Sequence, residues 1–254
     1  PYNVELEIQG HLNAIGTPAQ PITFKPQFGE WQGIYFNGGT GDLQHVTVRD
    51  GNGASSGGLR GNIVAKNVLT GEVRISDSVI SDHSSRGLNI LDSHVVVSDT
   101  LFTRNGGVPL WIGGANSVVT MTANSFVGNN VDRTYIEPGA MTANDIHLGS
   151  QTVMEGYLFT GDYVVPPGIT LTVDPGVTVM APYNVELQIQ GNLNAIGALN
   201  DALGGVTVTL EDDFSAYDPE MTPGKTLLLT GQQAEALVRY RMEVGDGSNE
   251  SRMR

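Results

Sequence analysis

The sequence predicts an all-β protein built as a parallel β-helix, a single solenoid with three short strands in each coil. Three observations predict it: a long internal duplication, a shorter period inside it, and a turn-rich composition without helical patterning. The duplication is nearly perfect. Pro1–Gly16 reads PYNVELEIQGHLNAIG, and PYNVELQIQGNLNAIG returns at Pro182–Gly197, where only Glu7/Gln188 and His11/Asn192 differ.

The shorter period runs through the middle of the chain. Ile75, Ile80, Leu88 and Ile90 fall in turn on Val97, Phe102, Leu110 and Ile112, all at one common offset. Met121, Phe126 and Ile136 follow at a slightly larger offset, and upstream Leu43 and Val48 fit the same frame as Ile75 and Ile80. A period in the low twenties with several short β runs per turn is that of a β-solenoid. Each coil then buries its inward residues against the coils above and below, about 4.8 Å away. The Leu and Asn spacing of a leucine-rich repeat is absent, and the regular Asn-Gly hairpins of a sandwich are sparse.

Composition narrows the setting. Thirty-three glycines and twelve prolines in 254 residues fit a turn-rich β protein. A net charge of −14 leaves no basic footprint for nucleic acid and disfavours an anionic membrane surface. With no cysteine there are no disulfides and no thiolate metal sites. No apolar run approaches the roughly 18 residues of a membrane span. Low charge, acidity and the absence of thiols point to an extracellular protein. A chain that starts within a repeat is expected to have lost its natural beginning.

In order along the chain, the first copy is followed by strand-turn-strand patterns through Gly53. Asn52–Gly61, NGASSGGLRG, is the expected long surface loop, since its glycines and serines supply no buried face. Ahead of the second copy, Ile169, Leu171, Val173, Val177 and Val179 alternate with polar residues between Pro-Gly turns. Residues 1–197 therefore form one full repeat, and 198–254 begin a second, modified repeat expected to continue the solenoid. In it Leu237–Gly247 realigns with Leu43–Gly53 after an insertion, and the stretch from Gln232 to Leu237 fits one helical turn.

WQGIYF at 31–36, the DSxIxxH/N coils, and VPPGITLTVDPGVTV followed by LQIQGNLNAIG resemble bacterial secreted right-handed parallel β-helix repeat proteins, of the pectate-lyase-like solenoid superfamily. The resemblance covers essentially residues 1–197. It implies a right-handed helix and export. It names no activity, because such domains serve as adhesins, surface stalks and carbohydrate-active enzymes alike.

Candidate sites follow from the columns that stacked coils create. Trp111 and Tyr135 should point outward one above the other beside Asn89, where exposed rings can meet sugar faces or a partner protein. They can equally lie beneath the connection from Ala140 to Gly161. Asp77 and Asp99 take the same place in successive coils, and such a pair can hold Ca²⁺ or serve glycoside chemistry. The simpler role is a turn in which each Asp caps backbone N–H groups. The column ends at Ala123, so no third acid completes a cluster.

His83, Asn105 and Asn129 form a column with the pattern of a polar ladder at a corner, against a reading of His83 as a base. His11, His45, His94 and His147 lack zinc spacing. Trp31 is expected to be structural. The acidic run Glu211, Asp212, Asp213, Asp218 and Glu220 lacks EF-hand spacing and is expected to be a solvated loop.

No nucleophile elbow, phosphate loop or coherent acid-base set appears, and Arg86 and Arg104 have no evident acid pair around them. A non-catalytic role is therefore expected, without cofactor unless Ca²⁺ at Asp77 and Asp99. The expected function is an extracellular structural β-helix, forming or decorating a cell-surface or filamentous assembly. Copies would associate head to tail through their end coils. The alternative is a carbohydrate-binding or polysaccharide-active domain.

Overall fold

The computed structural model describes residues 4–195, 206–210, 213–231 and 233–234. Residues up to 172 together with 176–192 form one compact unit, and 173–175 with the chain from 193 form a second.

The first unit is a right-handed parallel β-helix of about eight turns. Its largest sheet holds eight parallel strands: Glu5–Ile8, Gly33–Asn37, Ile63–Lys66, Leu88–Leu91, Leu110–Gly113, Arg133–Ile136, Gly156–Phe159 and Val179–Met180. A second sheet stacks His11–Ile15, Thr40–Gln44, Val73–Ser76, His94–Ser98 and Val118–Thr122. The third stacks Ile22–Phe24, Val46–Arg49, Val79–Ser81, Leu101–Thr103 and Ser125–Phe126. The expected alignments hold residue for residue. Leu43 and Val97 flank Ile75, Val48 and Phe102 flank Ile80, and Ile90, Ile112 and Ile136 run in one column.

Inward columns make the core. Ile34, Ile63, Leu88, Leu110, Thr134 and Tyr157 stack in register and are all buried. The Phe102 and Phe126 rings stack at 5.1 Å with only 10° between their planes. Each large apolar side chain so enclosed contributes about 1.5–3 kcal/mol.

Turning the chain between sheets without hairpins needs residues in the left-handed backbone region, and these also stack. His45, Asp77, Asp99 and Ala123 have φ of 50, 50, 48 and 55°, all at the corner between the second and third sheets. Asp50, Asp82, Arg104 and Gly128 make a second such column, and Gly38, Asn67, Asp92 and Gly114 a third. Asp, Asn and Gly dominate because they tolerate this conformation best.

Just after the corners, inward polar side chains reach one coil back. Ser78 Oγ accepts the Val46 N–H at 3.1 Å, Ser93 Oγ that of Val68 at 3.1 Å, and Asn124 Oδ1 that of Thr100 at 3.1 Å. Buried backbone groups left by the breaks in the sheets are satisfied this way.

The regular frame changes after Phe126. Ile146–Leu148 and Thr170–Val173 lie side by side in a separate sheet, and Tyr163–Val165 pairs in parallel with Leu187–Ile189. Tyr163 lies inside, donating its hydroxyl to the Ala140 carbonyl.

In the second unit, Val206–Thr209 and Thr226–Leu229 pair antiparallel. The described part of the modified second repeat thus takes up a hairpin where sequence alignment expected another coil. The insertion supplies the chain reversal, and Leu210, Phe214, Met221 and Leu229 close a small core around it. Asp213 accepts the Ser215 N–H, Asp218 that of Glu220, and Glu220 pairs with Lys225. The described acids of this run therefore fasten their own turn. Gly231, Gln233 and Ala234 are helical. The realigned stretch Leu237–Gly247 lies outside the described residues.

Candidate functional site

The outward column of the large sheet runs Glu7, Tyr35, Val64, Asn89, Trp111, Tyr135 and Leu158. The long loop at 52–61 lies across its first half. Ser56 N–H donates to Glu5 Oε2 at 2.9 Å, Lys66 Nζ to the Gly57 carbonyl at 3.5 Å, and Asn89 Nδ2 to the Arg60 carbonyl at 3.0 Å. Gly57 is required there, since a Cβ would come within 2.5 Å of the Tyr35 hydroxyl.

This placement corrects the expectation for Asn89. Register puts it beside Trp111, as the period requires, but its side chain is buried under the loop, at 1% exposure, and ties that loop down. A surface loop with no apolar face has covered Tyr35, Val64 and Asn89 by using its backbone carbonyls and glycines.

Trp111 and Tyr135 lie beyond the loop, half-buried, with ring centroids 5.3 Å apart and planes tilted by 46°. The Arg86 guanidinium sits 3.6 Å from the centroid of the Trp111 ring, and Trp111 Nε1 donates to Glu137 Oε1 at 2.5 Å. Burial pulls the Arg86 guanidinium below its ordinary range, the Glu137 carboxylate opposes that shift, and Arg60 adds to it. The Trp111 ring is therefore held by charged groups at its face and at its Nε1 edge. Sequence reasoning placed the rings and missed Arg86 and Glu137 as partners of Trp111, though Arg86 precedes the coil of Trp111 and Glu137 directly follows the strand of Tyr135.

Asp77 and Asp99 both take the left-handed corner, and Asp77 Oδ2 accepts from Gln44 Nε2 at 3.1 Å. Among the described residues no group of three or more His, Cys, Asp or Glu side chains is placed to hold a metal ion. Arg104 has an acid partner that sequence reasoning missed. Its Nε and Nη2 grip the two Asp82 oxygens at 2.7 and 2.8 Å, from adjacent positions of one corner column. That grip lowers the Asp82 carboxyl below its usual range. The missed signal was the coil period itself, which sets Arg104 one coil after Asp82.

His83 is buried at the head of its ladder. Its Nδ1 accepts the Ser85 N–H at 2.8 Å, and its Nε2 has no hydrogen-bond partner among the described residues. Burial first, then the charges of Arg60 and Arg86, push its pKa down to about 4. A neutral, enclosed imidazole with one nitrogen used by backbone is built into the corner and has no substrate-facing edge. Trp31 is likewise enclosed, donating Nε1 to the Arg49 carbonyl at 2.9 Å. His11 stands apart on the second sheet, beside Asp42 at 3.4 Å.

The two copies of the duplicated stretch sit in different settings. Glu5–Ile8 is the outermost strand of the large sheet and pairs with the coil that follows it, Glu7 opposite Tyr35. Leu187–Ile189 pairs with the coil that precedes it, Gln188 opposite Val164. The local conformation is shared: Gln9 Nε2 donates to Glu7 Oε1 at 2.9 Å, and Gln190 Nε2 to Gln188 Oε1 at 3.2 Å.

Comparison with family models, with curated proteins and with solved structures finds no match for this chain. The sequence resemblance is thus supported at the level of the β-solenoid.

Proposed function

We propose that this chain is a structural β-helix of the cell surface or extracellular space, whose duplicated units join end to end, in the manner of the bacterial secreted β-helix proteins it resembles. One observation carries the reading. The same duplicated stretch is paired with the coil after it in one copy and with the coil before it in the other, so its two settings together describe the two sides of a joint between repeats. Solenoid coils contact only their neighbours, so a joint of this kind extends the rod without new surface chemistry. Head-to-tail contacts that do not close into a ring make filaments.

Negative-stain electron microscopy and sedimentation across a concentration series test the proposal. Rods that lengthen with concentration, in steps of one chain, support it. Single rods of constant length at every concentration overturn it.

A second reading, recognition of a carbohydrate, is favoured by the Trp111–Tyr135 pair left outside the 52–61 loop. With Arg86 on the Trp111 ring, Tyr135 and the ring edges are the surfaces offered. Retention on immobilised polysaccharides that is lost in Trp111→Ala and Tyr135→Ala, with the fold intact, supports it; equal retention of both variants removes it.

A further inference from the structure

We infer that Asn52 is a site of spontaneous modification: the Gly53 nitrogen attacks its side-chain amide, and the change that results loosens the 52–61 loop over the large sheet. The chain carries three Asn-Gly pairs, Asn37–Gly38, Asn52–Gly53 and Asn105–Gly106. In each, the missing Cβ lets the glycine nitrogen come close to the amide carbon before it, so sequence ranks them equally. The reaction needs only water, and it stands apart from both functional readings above.

The fold separates the three. Gly38 N–H donates to the Lys66 carbonyl at 2.9 Å, and Asn37 Nδ2 to Glu7 Oε1 at 2.8 Å. Gly106 N–H donates to the His83 carbonyl at 2.8 Å, while Asn105 is 1% exposed and spends its amide on the ladder. A Cβ at Gly106 would stand 2.5 Å from the Ser84 carbonyl oxygen, so that peptide has no room to turn. The Gly53 N–H, by contrast, has no hydrogen bond among the described residues. The nearest atom to a Cβ built on Gly53 belongs to the Gln32 side chain, at 3.9 Å.

Asn52 itself is half-buried, and its side chain is held only by exposed groups. Its Nδ2 donates to Glu30, and its Oδ1 accepts from Ser84 Oγ at 2.6 Å. Such bonds exchange readily for bonds to water, so the amide can swing onto the Gly53 nitrogen. That nitrogen bonds to Asn52 Cγ and loses its proton, ammonia leaves, and a cyclic imide closes. Water then opens the ring at either carbonyl. The net exchange is amide and water for carboxylate and ammonium.

Both products disturb the mouth of the loop, where the Asn52 N–H donates to the Trp31 carbonyl at 2.7 Å. A carboxylate replaces the group that donated to Glu30 and sets like charges against each other. Where water opens the ring at the backbone carbonyl, the chain runs on through Asn52 Cβ and the loop lengthens. Within the loop, Ser55 N–H donates to the Leu59 carbonyl at 2.7 Å and Gly58 N–H to the Ser55 carbonyl at 2.8 Å. These bonds report any loosening.

Full-length folded chain, held at mildly alkaline pH and sampled by tandem mass spectrometry, tests the site. Asn52 is the only side-chain amide between Arg49 and Arg60, so the mass gain of that tryptic peptide reports it alone. Asn52 is expected to convert at least about tenfold faster than Asn37 or Asn105, each of which must first break a hydrogen bond. In concentrated urea the three should convert at comparable rates. Comparable rates in the folded chain, or the same ranking in urea as in the folded chain, would overturn the assignment.

Hydrogen exchange at Ser55–Gly58 is expected to quicken as Asn52 converts. It should be fast from the start in Asn52→Asp, and keep its starting rate in Asn52→Gln, whose longer side chain closes no such ring. Conversion of Asn52 with exchange unchanged at Ser55–Gly58 would overturn the loosening of the loop.

Discussion

Asn105 serves His83 from the next coil: its Oδ1 accepts the His83 backbone N–H at 3.2 Å, and its Nδ2 donates to the Ile80 carbonyl at 3.2 Å. Asn129 repeats this for Asn105, accepting its N–H at 3.1 Å and donating to the Phe102 carbonyl at 3.0 Å. Each amide satisfies one donor and one acceptor where the strand of the coil below has ended. The solenoid is continuous through its corners because of these side chains.

Asn105→Ala is expected to lower unfolding stability by about 3 kcal/mol, since it strands a buried N–H and a buried carbonyl together. Asn105→Asp should cost nearly as much, because a carboxylate accepts from His83 but cannot donate to Ile80. Urea unfolding followed by circular dichroism measures both; a loss under about 0.5 kcal/mol in each would show that water replaces the amide freely.

His83 predicts a pH dependence with a definite sign. Its folded pKa is about 4, against 6.5 for the free side chain. The unfolded chain therefore takes up a proton first as pH falls, so stability is full above 6.5, declines between 6.5 and 4, and loses no more to this group below 4. The whole loss amounts to at most about 3 kcal/mol. The difference in stability between the parent and His83→Asn, followed across this window, separates this contribution from that of the carboxylates. A parallel pair of curves would contradict the burial of a neutral imidazole.

Ala123 stands where its column mates are His45, Asp77 and Asp99, at φ of 55°. Its side chain is exposed, so Ala123→Gly relieves backbone strain without opening a cavity, for a gain of roughly 0.5–1 kcal/mol. The reverse exchange at Gly33 should be severe. Its φ is 92°, and an added Cβ would stand 2.3 Å from the Asn62 carbonyl oxygen. Gly33→Ala is expected to cost more than about 3 kcal/mol or to prevent folding. Thermal melts of the two variants should move in opposite directions.

Asn89→Ala removes the only side-chain hydrogen bond described between Asn89 and the 52–61 loop. Hydrogen exchange at Ser55–Gly58 should quicken about tenfold, as expected for the loss of roughly 1.4 kcal/mol of local protection, while the Phe102–Phe126 core exchanges unchanged. Uniform quickening through the whole helix would instead make Asn89 a core residue.

Much of this architecture was legible in the chain. The coil period specified which residues stack, because in a parallel solenoid the register is the repeat length, and every aligned apolar pair from Leu43 to Ile136 meets its partner. The Asn105–Asn129 ladder and the corner role of Asp77 and Asp99 followed from the same columns. Alternation put Trp111 and Tyr135 on one outer face.

The fate of that face was decided by tertiary structure alone. Asn89 went under a loop that carries no apolar pattern, because backbone carbonyls and missing Cβ atoms, which leave no periodic signal, made the contact. Arg86 and Arg104 found their partners through side-chain reach between coils, which strand alternation does not encode. The sharpest case is the duplicated stretch itself: two nearly identical sequences determined a strand in both places, but not the sheet it would join, the eight-stranded one for Glu5–Ile8 and the pair with Tyr163–Val165 for Leu187–Ile189. A strand pairs with the coil that the preceding turns bring beside it, and the placing of those turns is not written in the strand itself.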